Sequence, residues 1–235
     1  MGKLLEGKIA LITGASGKIG STVAKRFIRE GSRVILVSRF IETLNALYNE
    51  IKEFEEFKDE SVTLIQLDLL DFTNVKLLAN KITDLKSSEP GGLDILVSCT
   101  EILGELTSIQ NYELETFKTI MDTNFISHWY LLKNLDPILK KSNAGRIVFL
   151  TSEVTLSPGS YPYWGAYAAS KAALETMVKV YASEIKGDTE LRVNAVYLQN
   201  FINNKDAPEL ELSTDKFMKL VSDDCKISGE IFSIK

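Results

Sequence analysis

Short apolar runs recur along the chain, and amphipathic stretches separate them. KIALIT (8–13), RVILVS (33–38), SVTLIQL (61–67), LDILVS (93–98), RIVFLT (146–151) and RVNAVYL (192–198) are rich in Ile, Val and Leu. None alternates cleanly between apolar and polar positions, so each predicts a strand buried on both faces, as in a parallel sheet. EIFSI (230–234) is a candidate seventh strand. Between these runs, residues 42–55 set Leu44, Leu47, Ile51 and Phe54 on one helical face, and 71–86 repeat the pattern with Val75, Leu78 and Ile82. Regular strand–helix alternation predicts an α/β fold built on a doubly wound parallel sheet. SSEPGG (87–92) and SPGSYPYWG (157–165) read as loops from their Pro, Gly and Ser content. The alternation resumes after each, so residues 1–235 read as one domain.

Composition narrows the function classes. The 235 residues are 45% hydrophobic and 25% charged, enough to bury a core without staples. With 27 basic and 32 acidic residues the formal charge is −5, and no basic stripe offsets it, which argues against a nucleic-acid partner. Cys99 and Cys225 show no metal or disulfide spacing, and a reducing compartment fits them. The single histidine, His128, excludes most histidine-based metal sites and Ser-His-Asp triads. The first residues lack a signal-type apolar core, and no apolar run approaches the ~20 residues that span a bilayer. The expectation is a cytoplasmic protein with no membrane partner.

Two stretches carry candidate chemistry. TGASGKIG (13–20) follows the first strand and opens the first helix. Gly14, Gly17 and Gly20 permit a tight turn, and the helix N-terminus behind them suits a pyrophosphate. Ser16 offers a hydroxyl and Ile19 a backbone N–H. Such a turn also fits a plain strand–helix connection, but its place after the first strand favours a dinucleotide. The second strand ends in VSRF, where an acidic residue would bind the ribose of NAD. Ser38 and Arg39 stand there instead. Arg39, helped by Lys18, would pair with a 2′-phosphate, which favours NADP(H) over NAD(H), unless Arg39 is simply a solvated surface charge.

The second stretch is YWGAYAASKAAL (163–174), in which Tyr167 and Lys171 lie four residues apart. On a helix they share a face that continues as Leu174 and Val178. A neighbouring ammonium favours the phenolate, so Lys171 is expected to lower the Tyr167 pKa and suit it to proton exchange. Taken alone, the pair also fits two side chains snorkelling at a helix edge.

TGASGKIG, LDLLD after the third strand, NF at 124–125, VFLTSEV on the fifth strand, YAASK and RVNAV together resemble the short-chain dehydrogenase/reductase family, in order and spacing, to about Val196. The resemblance implies a three-layer Rossmann-type fold and an NADP(H)-dependent oxidoreductase acting on a small carbonyl or alcohol. It implies Tyr167 as acid/base and Lys171 as the residue holding the nicotinamide ribose. Ser152 would bind the substrate oxygen, Asn124 would support a water relay to Lys171, and Asp68 with the Leu69 backbone would meet the adenine. A homodimer or homotetramer would form through helices near 115–140 and 165–186, with His128 at the surface or interface.

Three departures stand out. Lys18 occupies a position that is usually glycine, and would be strained there if the turn needs φ > 0. After the fourth strand, Ser98-Cys99-Thr100-Glu101 replaces Asn-Asn-Ala-Gly, and Glu101 brings bulk and negative charge towards an anionic cofactor. After the sixth strand, Leu198-Gln199 replaces Pro-Gly. These departures motivate an alternative, a weakly active or inactive binding protein on the same fold.

Overall fold

The apolar runs become strands because both of their faces are covered. In the computed structural model, which describes residues 3–85, 92–187, 189–198 and 207–234, these are β1 (Ile9–Thr13), β2 (Arg33–Ser38), β3 (Val62–Gln66), β4 (Ile95–Ser98), β5 (Arg146–Leu150), β6 (Arg192–Leu198) and β7 (Ile231–Ile234). They form one parallel sheet in the order β3-β2-β1-β4-β5-β6-β7. Full burial, expected for every strand, holds in the middle and fails at the edges. Most of β3 and β7 is only half-buried, since an edge strand has one neighbour.

Helices cover both faces. Ala10, Ile12, Leu36, Val97 and Val148 point to one side, where α1 (Lys18–Arg29), α2 (Ile41–Ile51) and α7 (Ala207–Val221) contribute Val23, Phe27, Leu44, Leu47, Phe217 and Val221. Leu11, Ile35, Leu96, Ile147 and Phe149 point to the other. There α3 (Phe72–Leu85), α5 (Ser127–Leu139) and α6 (Gly165–Glu184) add Val75, Leu78, Leu131, Leu135, Leu174 and Val178. α4 (Leu114–Met121) joins α5 through a π-helical turn, Asp122–Ile126. Among the described residues no helix is long and apolar enough to cross a membrane.

The sheet order fixes where a site can form. The chain runs outward from β1 to β3, then returns to the other side of β1 as β4. Crossovers leave in opposite directions from β1 and β4, and a crevice opens at their carboxyl ends. The register pairs Thr13 with Ser98, so the turn after β1 and the loop after β4 face each other across that crevice. The loop proposed at 87–92 falls outside the described residues except for Gly92, and so do Gln199 and the segment to 206.

Candidate active site

The first wall of the crevice is the glycine turn. Gly14 has φ +63, and a Cβ there would lie 2.8 Å from the Cys99 backbone carbon. A Cβ at Gly20 would lie 2.3 Å from the Gly14 carbonyl oxygen. Only glycine lets the β1 turn lie against the β4 loop and the first turn of α1. Gly17 precedes α1 without a side-chain cap, so the Lys18 and Ile19 amides begin a helix whose first N–H groups have no intrahelical acceptor. Lys18 is exposed and sits in the helix. The only non-glycine with positive φ among the described residues is Tyr163, so the anticipated strain at Lys18 does not arise.

The crevice continues past Ser38, Arg39, Asp68 and Leu69. Ser16 and Ser38 hydroxyls bond each other at 2.8 Å. Arg39 is exposed, its guanidinium 5.5 Å from the Phe40 ring centre. Asp68 accepts the Leu70 N–H at 3.0 Å, which closes the turn after β3 and leaves Leu69 buried beneath it. No cluster of three metal-ligating side chains occurs among the described residues.

At the other end stand the two groups of α6. Ala166, Tyr167, Ser170, Lys171, Leu174 and Val178 form one buried stripe. Its first turns lie against Glu101 at the end of the crevice, and its later turns face the core. The fully buried Lys171 Nζ donates to the Leu150 carbonyl at 3.0 Å, at the end of β5. Its second partner is the Glu101 carboxylate at 2.6 Å. The same oxygen, Glu101 Oε2, accepts the Tyr167 hydroxyl at 3.1 Å. Ser152 follows β5, and its hydroxyl acts on the Tyr167 phenol in the direction that favours the phenolate.

This geometry reverses the expected tuning of the tyrosine. Burial and then the Glu101 charge raise the Tyr167 pKa above its ordinary value, with Ser152 acting in the opposite direction. The Lys171 ammonium lies 5.6 Å from the Tyr167 ring centre, but a carboxylate sits on both groups and screens its pull on the phenolate.

Asn124 also does something other than expected. Its Oδ1 accepts the Ile102 N–H at 2.8 Å, and its Nδ2 donates to the Ile102 carbonyl at 2.9 Å and to Ser170 Oγ at 3.0 Å. The side chain clamps the loop after β4 onto α6, from within a π-helical turn of the kind frequent at functional sites. Tyr167, Lys171 and Ser152 therefore converge, and Asn124 holds the loop that bears Glu101.

His128 corrects another expectation, since it lies fully buried rather than at a surface. Its Nε2 faces the Thr100 carbonyl at 2.9 Å, which can only accept, so Nε2 carries the proton. Nδ1 then accepts from Ser98 Oγ at 2.7 Å, and Ser98 accepts from Thr13 Oγ1 at 2.9 Å. This buried chain ties β1, β4 and α5 to the residue before Glu101. Burial, and after it the Lys171 charge, lower the His128 pKa to about 3. Glu175 was equally unmarked in the sequence. It accepts the Thr151 and Thr155 hydroxyls, both at 2.7 Å, and so fixes the segment carrying Ser152. Helical spacing does carry a signal for His128, which stands four residues after Asn124.

Comparison with known proteins agrees with this fold. A family model described as short chain dehydrogenase matches residues 8–202. The uncharacterized oxidoreductase YciK of Escherichia coli K12 is 33% identical over 193 residues, 82% of this chain and 73% of that protein. A chloroplastic NADPH-dependent aldehyde reductase-like protein of Arabidopsis thaliana is 32% identical over 202 residues, 82% of this chain and 72% of that one. Among solved structures, a short chain dehydrogenase from Escherichia coli CFT073 complexed with NADPH superposes with a TM-score of 0.87 at 29% identity, covering 100% of this chain and 99% of that one.

Proposed function

The chain belongs to the short-chain dehydrogenase family, and we propose that it is an NADP(H)-dependent oxidoreductase that interconverts a small carbonyl compound and its alcohol. The observation that carries this reading is the convergence of Tyr167, Ser152 and Lys171 at the carboxyl edge of the sheet, beside a glycine turn. Structures of related proteins in complex with NADPH and NADP support the choice of cofactor. One continuous sheet from β3 to β7 supports reading 1–235 as a single unit of function.

The residues present fit most of the cofactor. Gly14 and Gly20 let the turn lie tight against the β4 loop and the start of α1, and the free N–H groups at that helix start, with Ser16, Lys18 and Ile19, suit the pyrophosphate. Arg39 is exposed at the end of β2 and would pair with the 2′-phosphate, beside Ser38. Asp68 and Leu69 would meet the adenine. When bound, the nicotinamide donates or accepts the hydride. Ser152 orients the substrate oxygen, and Tyr167 gives that oxygen a proton or takes one from it. A protonated phenol is the form needed for carbonyl reduction, and burial favours it. Lys171, anchored on the Leu150 carbonyl, supplies the positive charge and would hold the nicotinamide ribose.

Steady-state NADPH oxidation against a panel of carbonyl compounds tests the reading. Activity in the wild type that Tyr167→Phe abolishes supports it, and equal activity in both refutes the assigned role. Arg39→Ala should weaken NADPH binding about tenfold and leave NADH binding unchanged. A second reading, a binding protein with little catalysis, draws on the Glu101 carboxylate lodged between Tyr167 and Lys171. It requires that neither NADPH nor NADH bind at millimolar concentration. For assembly, we propose a homodimer or homotetramer through α5 and α6, where Trp129 and Val180 are 43% and 52% exposed. Analytical ultracentrifugation on dilution checks this, and a stable monomer would refute it.

A further inference from the structure

The crevice that begins at Arg39 and passes Gly14 ends at Glu101, and neither Tyr167 nor Lys171 lines it. The Glu101 side chain stands between that crevice and the two α6 groups, with one oxygen bonded to both. Lys171 is fully buried, whereas the Glu101 side chain is 26% exposed. One partner of this ion pair is therefore fixed in the protein, and the other reaches it from a loop at the edge of solvent. The loop itself is fastened on both sides of Glu101. His128 holds the Thr100 carbonyl, and Asn124 holds the Ile102 N–H and carbonyl. With the flanking backbone anchored, the side-chain torsions of Glu101 are the free coordinates of this contact.

We propose that Glu101 sets the cofactor affinity of this protein by occupying the donors that a nicotinamide ribose needs, so that binding requires the carboxylate to swing away from Lys171 and Tyr167. This rests on the NADP(H) reading above. The chemistry of the exchange is matched. A carboxylate oxygen accepts from an ammonium and a phenol, and a ribose hydroxyl oxygen can accept from the same two donors. The released carboxylate regains water, because its side chain is already part-exposed. The buried ammonium does not gain water, so it needs the ribose as a replacement partner. Cofactor binding at this end is then an exchange of acceptors, and its net strength is reduced by the ion pair that must be broken. The adenosine end lies at the far end of the crevice, at Arg39, and is outside the reach of this exchange.

Isothermal titration calorimetry separates the two ends. NADPH carries the nicotinamide ribose, and 2′,5′-ADP carries only the adenosine half. In Glu101→Ala, NADPH should bind about tenfold more tightly than in the wild type, with 2′,5′-ADP unchanged. Glu101→Gln keeps an acceptor oxygen and gives up the charge, and should give a smaller gain, roughly threefold. Without ligand, Glu101→Ala should melt at a lower temperature, because Lys171 loses its carboxylate. Apo stability and cofactor affinity thus move in opposite directions, which a merely structural residue would not produce. Wild-type binding of NADPH that is unchanged or weakened in both variants overturns the proposal and leaves the cofactor reading standing. An equal gain for both ligands also overturns it, since that signature belongs to general charge repulsion. If neither ligand binds any of the three proteins, the cofactor reading itself falls, and this proposal with it.

Discussion

Two buried cations sit at opposite ends of β5, and they are satisfied in different ways. Arg146 is the first residue of the strand and only 2% exposed. It donates to four backbone carbonyls, those of Gly145, Glu190, Ser222 and Asp223, at 2.8 to 3.0 Å. None of those acceptors can leave without unfolding a segment, so the arginine is a rivet that ties β5 to the end of α7. Lys171 meets the last residue of the same strand through the Leu150 carbonyl, and its other partner is the side chain of Glu101. A backbone acceptor makes a permanent joint, whereas a part-exposed carboxylate makes an exchangeable one. The amino edge of the sheet is built for stability, and the carboxyl edge keeps a charged group that can change partners.

The comparison can be broken at several points. Arg146→Met removes four hydrogen bonds to backbone carbonyls at once and should lower unfolding free energy by about 3–5 kcal/mol in urea titrations. Tyr167→Phe should cut carbonyl reduction by roughly a hundredfold or more in steady-state assays while leaving the urea midpoint nearly unchanged.

His128 gives the carboxyl edge a pH signature. Its folded pKa is about 3 against an ordinary value of 6.5. The unfolded chain therefore takes up a proton below about 6.5 that the folded protein refuses until about 3. The stability from neutral His128 is complete above that window and is lost as pH falls through it. Between pH 6.5 and 5 the loss should be about 1.5 kcal/mol, read from urea midpoints, and His128→Asn should remove that part of the slope.

The smallest effect belongs to Lys171→Met. Glu101 can turn to water, so the cost to stability should be about 1 kcal/mol, well below that of Arg146→Met. Equal costs for the two would show that the Lys171 site is as permanent as the Arg146 site.

Much of this was legible from residue order. The strand runs and the Leu174–Val178 stripe each follow from a local period, and the structure places them within a residue or two of expectation. The glycine turn was legible because only Gly14 and Gly20 tolerate the close approaches seen there. His128 was misjudged because a lone histidine on a helix carries no mark of what faces it. Its partners, Ser98 and the Thr100 carbonyl, come from the end of β4 and the loop after it, about 30 residues away in the chain. Tyr167 was misjudged for the same reason. The i, i+4 rule brought Lys171 near it correctly, but Glu101 lies 66 residues earlier and is brought there by the parallel pairing of β4 with β5.

The sequence by itself determined the strand–helix alternation, the family motifs and the placing of Tyr167 and Lys171 on one helical face. These rest on periods and spacings within a few residues, where geometry is nearly fixed by the chain. Only the tertiary structure decided the electrostatic state of the site. That state depends on which charges lie within a few ångströms through a low-dielectric interior, and the Glu101 carboxylate arrives there from a distant loop.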